Sequence, residues 1–314
     1  MAAAPSRLAS PSAAARAGVV LLGVCWGLNW IAVRFALHEI PPWSLRTLGI
    51  GLGALVLFAW ALARGRSLHV EPGRARRRLA WAGLLNIAAF GVFSAFAQLS
   101  GATSRVAMVT FTMPIWSVLI ARVAIGERLD VARRTAVAFA GAGLALLIAP
   151  LFADGTAAGA GWALLAALAW AGGTVYLKAA RIDADPIAIA AWQLAAGFVA
   201  VAAGALLFEG LPRDWPRAAA TGWAVLYHVL LGTALPYLLW CAIVGRLPAS
   251  SAALGTLLVP VVAVLGAIVL LGERPGALDA AGFALVFAAA AAVLLRVSPA
   301  PAPAAPDPRS GDPR

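Results

Sequence analysis

Charge is the first thing this chain has little of. Only 12% of its 314 residues are charged, and just 13 are acidic. A water-facing domain carries about 25%. So few charges cannot coat a soluble surface. The hydrophobic residues, 62% of the chain, are gathered into long blocks, which makes this an integral membrane protein. Cysteine is nearly absent. Cys25 and Cys241 both lie inside apolar blocks, which argues against a disulfide framework, and no CxxC or His/Cys cluster offers a metal site. Enzyme motifs are missing too. There is no GxxxxGK[ST] for ATP, no GxSxG, no HExxH and no aspartate pair within an apolar block. No cofactor is implied. The net charge of +11 comes from short basic groups between apolar blocks, not from one continuous face. Nucleic acid is therefore not the expected partner.

What is present is a series of apolar blocks near the length needed to cross a bilayer, about 20 residues. Ten such blocks fall at roughly 18–37, 43–63, 79–99, 103–124, 131–151, 159–178, 186–208, 219–244, 249–271 and 277–296. The first follows Arg7 and Arg16 and is long enough for a full span, so it is read as a retained helix rather than a cleaved signal. The segment from Ser298, SPAPAPAAPDPRSGDPR, is Pro/Ala-rich and is predicted to be disordered.

Arg and Lys set the orientation. With the N-terminus inside, the inner loops hold Arg64, Arg66, Arg74, Arg76, Arg77, Arg78, Arg122, Arg128, Arg133, Arg134, Lys178, Arg181 and Arg246, and the outer loops hold few basic residues. Both termini are expected in the cytoplasm, with the chain in the cytoplasmic (inner) membrane.

One passage is written twice. TFTMPIWSVLIARVAIGER spans 110–128 and TLLVPVVAVLGAIVLLGER spans 256–274, an offset of 146 that also matches Ser104 to Ser250, Ala107 to Ala253 and Leu84-Leu85 to Leu230-Leu231. Trp26 with Arg34 likewise resembles Trp170 with Lys178. The copies are five spans apart. An odd number inverts the second half, so Gly126-Glu127-Arg128 and Gly272-Glu273-Arg274 are expected on opposite faces. Two like halves pointing opposite ways supply inward-open and outward-open states of similar energy, which is what alternating access requires.

The pattern Trp26-Gly27-x-Asn29, the pair Pro41-Pro42 with Arg46, and the doubled Pro-x12-Gly-Glu resemble the drug/metabolite transporter superfamily, in particular its EamA-type ten-helix exporters. The resemblance covers about 18–296. It implies two inverted five-helix repeats, a central cavity, and export of amino acids, other metabolites or toxic compounds. The expected fold is an all-α integral membrane protein of ten transmembrane helices. Its parts are an N-terminal tail (1–17), a first repeat (18–151), a second repeat (152–297) and a C-terminal tail (298–314). Two positions depart from the repeat: Asn86 stands where the second half has Gly232, and Asn29 where it has Gly173.

Candidate residues each have a plainer alternative. Pro114 and Pro260 are expected to bend spans 4 and 9 at a gate, or merely to kink them in packing. Glu127 and Glu273 lie at span ends, where pairing with a nearby Arg or bonding to the start of the next helix is the expected role. Arg46 opens span 2 and, facing a cavity, would attract a carboxylate or phosphate; Arg34 is near enough to its span end to snorkel. Asn29 and Asn86 either bridge helices or bond substrate. His228 is the one histidine within a span, able to titrate near neutral pH or to bridge helices. Trp26, Phe90, Trp116, Trp170, Tyr176 and Tyr237 could line a mostly apolar pocket, with Thr110 and Thr256 as further polar wall. The glycines of Gly23/Gly27 and Gly49/Gly53 predict close helix approach in spans 1 and 2.

The function predicted from these residues is secondary transport of small amphipathic metabolites within a lipid bilayer. Nothing sets an oligomeric state, and a monomer is compatible with the sequence. The competing readings are an intramembrane enzyme, for which His228 with Ser94 or Ser117 is the one candidate pair, and a non-transporting scaffold.

Overall fold

The computed structural model describes residues 13–126, 129–153, 157–210, 218–244 and 249–294, with side chains described for all of these except 13–16, 125, 132, 153, 242–244, 249–256 and 293–294. The expectations for Glu127, the Thr256 side chain, residues 1–12 of the N-terminal tail and the C-terminal tail therefore lie outside the described residues, while residues 13–17 of the expected N-terminal tail are the start of the first helix.

The described chain is helical. In order come α1 (Ala13–Ala36), α2 (Pro42–Ala63), α3 (Arg74–Ser100) and α4, in two segments, Thr103–Thr110 and Met113–Ile125. Then follow α5 (Val131–Ala153), α6 (Ala158–Ala180) and α7 (Pro186–Phe208). Last come α8, whose segments Ala219–Val229, Leu230–Ala234 and Leu235–Val244 run on continuously, α9 (Ala249–Leu271) and α10 (Ala277–Leu294). Eight of these are long and apolar enough to cross a membrane; the described apolar stretches of α9 and α10 are shorter, Leu257–Leu271 and Ala277–Ala292. Prolines start α2 and α7 in the first turn, where a missing N–H leaves no bond unmade.

Contacts between loops show successive helices running up and down. Glu209 after α7 bonds to the start of α2, Glu273 after α9 bonds to the start of α4, and Glu39 after α1 accepts from Ala218 N before α8. These sites form one end of the bundle. At the other end Arg66 after α2 bonds to Asp185 before α7, and Arg78 at the start of α3 donates to Ala180 O at the end of α6. The largest packing contacts pair α1 with α9, α2 with α7, α3 with α6 and α5 with α10. Every partner comes from the other half of the chain, so the halves interlock.

Three of the glycines expected to allow close approach do so, and the structure identifies their neighbours. A Cβ on Gly27 would lie 2.5 Å from Val262 Cβ on α9, one on Gly49 would lie 2.2 Å from His228 Nε2 on α8, and one on Gly53 would lie 2.5 Å from Thr233 Cγ2 on α8. Spans 1 and 2 thus use these glycines against second-half helices.

The doubled prolines differ in setting. Pro260 lies inside the unbroken α9, but Pro114 does not bend a continuous helix. The first segment of α4 stops at Thr110, Phe111 and Thr112 turn with ψ of 3° and −7°, and Pro114 sits in the first turn of the second segment. The Thr112 hydroxyl secures the turn by donating to Val109 O at 2.6 Å. Gly126 ends α4 with φ 72°, and Gly272 follows α9 with φ 68°. Only glycine takes that left-handed region without strain.

Candidate functional site

Midway along α3 and α8 the hydrogen bonding widens from the α to the π register. The π segments are Leu84–Ala89 and Leu230–Ala234. They begin on the Leu-Leu pairs that match at the 146-residue offset. A π turn inserts one residue into the helix and redirects the side chains around it, and such turns are common at functional sites.

Beside these segments lie the two departures from the repeat, and they prove to be one exchange. A Cβ on Gly232 would come 2.1 Å from Asn29 Oδ1, and one on Gly173 would come 2.1 Å from Asn86 Oδ1. So α1 presents an asparagine to a glycine in the α8 π segment. The α6–α3 contact has the same pair with the roles reversed. Each amide then finds a second partner. His228 Nδ1 bonds to Asn29 Oδ1 at 2.8 Å, and Asn86 Nδ2 donates to Gln193 Oε1 on α7 at 3.3 Å. Both asparagines therefore bridge helices. With its proton on Nδ1, His228 holds Nε2 as an acceptor, buried against Gly49 and without a partner. The Thr233 hydroxyl donates to His228 O at 2.9 Å across the same π segment.

Arg46 reaches from α2 to α3. It is 7% exposed; Nε donates to Gly91 O at 2.7 Å and Nη2 to Ser94 Oγ at 3.0 Å. Ser94 spends its own proton on Gly91 O at 2.9 Å, and Ser117 donates to Met113 O on its own helix. Neither serine is bonded to His228, so the candidate nucleophile pairs of the enzyme reading do not form. Arg34 donates to the backbone carbonyl of Gln98 on α3, so it bridges helices rather than simply reaching for water.

The aromatic candidates fall into corresponding groups. Trp26 meets Tyr237 edge-on and Trp240 at a tilt, both with centroids 6.2 Å apart. Trp170 meets Phe90 edge-on at 4.9 Å. Each cluster joins a tryptophan from α1 or α6 to the α8 or α3 helix just past its π segment. Trp116 stands apart, its indole N–H tied to Thr112 Oγ1 at the α4 break. Thr110 is buried with an unpartnered hydroxyl, and Tyr176 is half-buried on α6.

Two cavities open at the end of the bundle that carries Glu209 and Glu273. One of about 220 Å³ lies among Ser100, Arg105, Val109 and Gly159, and one of about 470 Å³ among Arg34, His38, Ala102 and Glu273. Neither is lined by the aromatic or amide candidates.

Glu273 caps a helix, though not the one expected. Its carboxylate accepts from Thr103 N at 2.6 Å, Ser104 N at 3.0 Å and Ser104 Oγ at 2.5 Å, at the start of α4 rather than of the following α10. Glu209 repeats the arrangement at α2, accepting from Trp43 N, Ser44 N and Ser44 Oγ at 2.7–2.9 Å. The sequence reading missed Glu209 as a cap. An acid just past one apolar block, with a Ser opening another, was the available signal. At the opposite end Asp185 caps α7 through Ile187 N at 3.0 Å and accepts from Arg66 Nε at 2.8 Å. The Arg66 bond holds the Asp185 carboxyl below the usual carboxylate range.

Two stretches, residues 15–149 and 157–295, each match the EamA-like transporter family. The chain belongs to that family. It is accordingly a multi-pass membrane transporter of the drug/metabolite transporter superfamily, with a small-molecule substrate and lipid surroundings. A relative in Bacillus subtilis (strain 168), "Uncharacterized transporter YoaV", is 26% identical over 252 residues, covering 78% of this chain and 85% of the relative. A solved structure described as "Crystal structure of protein" has a TM-score of 0.63 at 24% identity, covering 90% of this chain and 96% of its own. That likeness concerns the fold alone. For an EamA-like transporter, the polar and aromatic groups around the two π segments are the candidate site.

Proposed function

We propose that this EamA-like protein exports small amphipathic metabolites, amino acids and related compounds foremost, across the cytoplasmic membrane by alternating access. The two halves form inverted five-helix repeats in a ten-span bundle, with both termini in the cytoplasm. One observation carries the reading: at matching places in α3 and α8, each half has a π segment, an Asn/Gly contact and an aromatic cluster. A site built twice, once in each sense, suits a substrate that must be released to either side. Basic residues at the end bearing Arg66, Arg76 and Arg78 support the orientation.

Two experiments test this. Reconstituted protein is given a panel of amino acids, nucleosides, sugars and aromatic toxicants, with and without a proton gradient. Movement of one class, lost in Asn29→Ala, supports the reading; movement of none counts against it. For topology, single cysteines replace Ala124 and Ala277 in a chain without Cys25 and Cys241. These sites avoid the left-handed glycines. Labelling from opposite faces is expected, and labelling from one face refutes the inversion.

A further inference from the structure

Among the described residues, the guanidinium of Arg46 is a buried charge held by neutral groups only. Its two acceptors are a backbone carbonyl and a hydroxyl. The ion pairs Arg66–Asp185, Arg105–Asp279 and His69–Glu71 lie at helix ends or in loops, and none of the three includes Arg46. An arginine stays charged at any physiological pH. Burying it without a counter-ion costs several kcal/mol, so packing alone does not account for it.

The geometry also shows which part of the group is spoken for. A guanidinium has two edges that can grip a planar anion, Nε with Nη2 and Nη1 with Nη2. Here Gly91 O and Ser94 Oγ fill the first edge. Nη1 donates to nothing among the described residues, and one Nη2 proton is also free. One turn along α2, Gly49 receives the unpartnered Nε2 of His228. The α2–α3–α8 seam thus holds a fixed cation and, one turn along α2, an unpartnered imidazole nitrogen.

We infer that the Nη1/Nη2 edge of Arg46 is the receptor for a carboxylate on the transported molecule, with Ser94 as the positioning residue that aims it. The inference rests on the transporter reading above. It narrows the substrate class to compounds carrying a carboxylate, amino acids included, and excludes simple amines.

The test uses full-length protein in liposomes and two matched sets of probes: leucine, 4-methylpentanoate and isopentylamine; and phenylalanine, 3-phenylpropionate and phenethylamine. Inorganic phosphate is a further arm. Carboxylate probes are expected to move or to compete, and the amines to do neither. Arg46→Gln should raise the half-saturating concentration for the acids tenfold or more, and Arg46→Lys should restore part of it. If Arg46→Gln fails to fold, Ser94→Ala serves, with KM for acids raised several-fold and kcat little changed. Three results overturn the inference: amines moved as well as acids, acids moved equally by Arg46→Gln or Ser94→Ala, or phosphate bound in place of the acids. Movement of amines or phosphate alone leaves the transporter reading standing. Movement of nothing, in this panel and the broader one, removes both.

Discussion

Replacing Glu273 by Ala removes a helix cap that the chain supplies from the far half of the molecule. The start of α4 has no local cap, because Ala102 stands at the N-cap position. Glu273 alone accepts from Thr103 N, Ser104 N and Ser104 Oγ. Loss of an N-cap costs about 0.5–2 kcal/mol, and a hydrogen bond to a charged group is worth about 1.5–3 kcal/mol. Because the three bonds share one carboxylate in a part-buried site, a loss of about 2–3 kcal/mol is expected. That corresponds to a fall of roughly 4–6 °C in apparent Tm, read by thermal unfolding in detergent. Glu273→Gln keeps one carbonyl acceptor and should cost about half as much. Ser104→Ala loses one bond, about 1 kcal/mol. The Glu273→Ala/Ser104→Ala double variant should be less destabilised than the sum of its parts, since both remove the same contact. Glu273→Ala with Glu209→Ala should add, because the two caps share no partner. A Glu273→Ala protein that melts within about 1 °C of wild type, or strict additivity with Ser104→Ala, refutes the reasoning.

Gly232→Ala would set a methyl group 2.1 Å from Asn29 Oδ1, so the amide must leave and surrender its bond to His228. A loss of about 2–4 kcal/mol is expected, partly recovered in Gly232→Ala/Asn29→Ala, with melting curves as the check. Gly173→Ala should behave alike through Asn86, with Asn86→Ala as its rescue. The Asp185 carboxyl is held below its ordinary pKa by Arg66. A depressed pKa gives stability that is full above the unfolded-state value, about 3.9, and lost as pH falls through the lower folded value. Acid unfolding of Asp185→Asn below about pH 4 should therefore be less pH-dependent than in wild type.

The hydropathy of the blocks placed the helices within a few residues. The predicted 186–208 matches α7 as Pro186–Phe208, because Asp185 and Pro186 mark its start and Glu209 its end. A run of apolar side chains is a local property, and so is a proline or glycine boundary. The π segments were not legible, since a change in backbone register leaves hydropathy untouched. The repeated Leu-Leu pairs marked their positions without showing what they were. Asn29 and Asn86 looked like failures of the repeat because each was compared along the chain. Only the packing of α1 on α8 and α3 on α6 shows that the asparagine has moved across one contact. Glu273 was legible as a helix-end carboxylate, but its partner 169 residues away was not.

The break in α4 has a thermodynamic corollary. One proline-bearing passage occurs twice, once as two segments meeting at Phe111-Thr112 and once as the continuous α9. The molecule therefore contains both shapes of one element at the same time. If the proposed inversion holds, a trade in which α4 straightens and α9 breaks leaves the inventory of shapes unchanged, and their intrinsic energies cancel between the two end states. Only the side chains that differ between the copies tilt the balance. A bound molecule favouring one end state by about 1.4 kcal/mol would shift the ratio tenfold. Under that trade the near-duplicate passage would let weak ligands bias a large rearrangement.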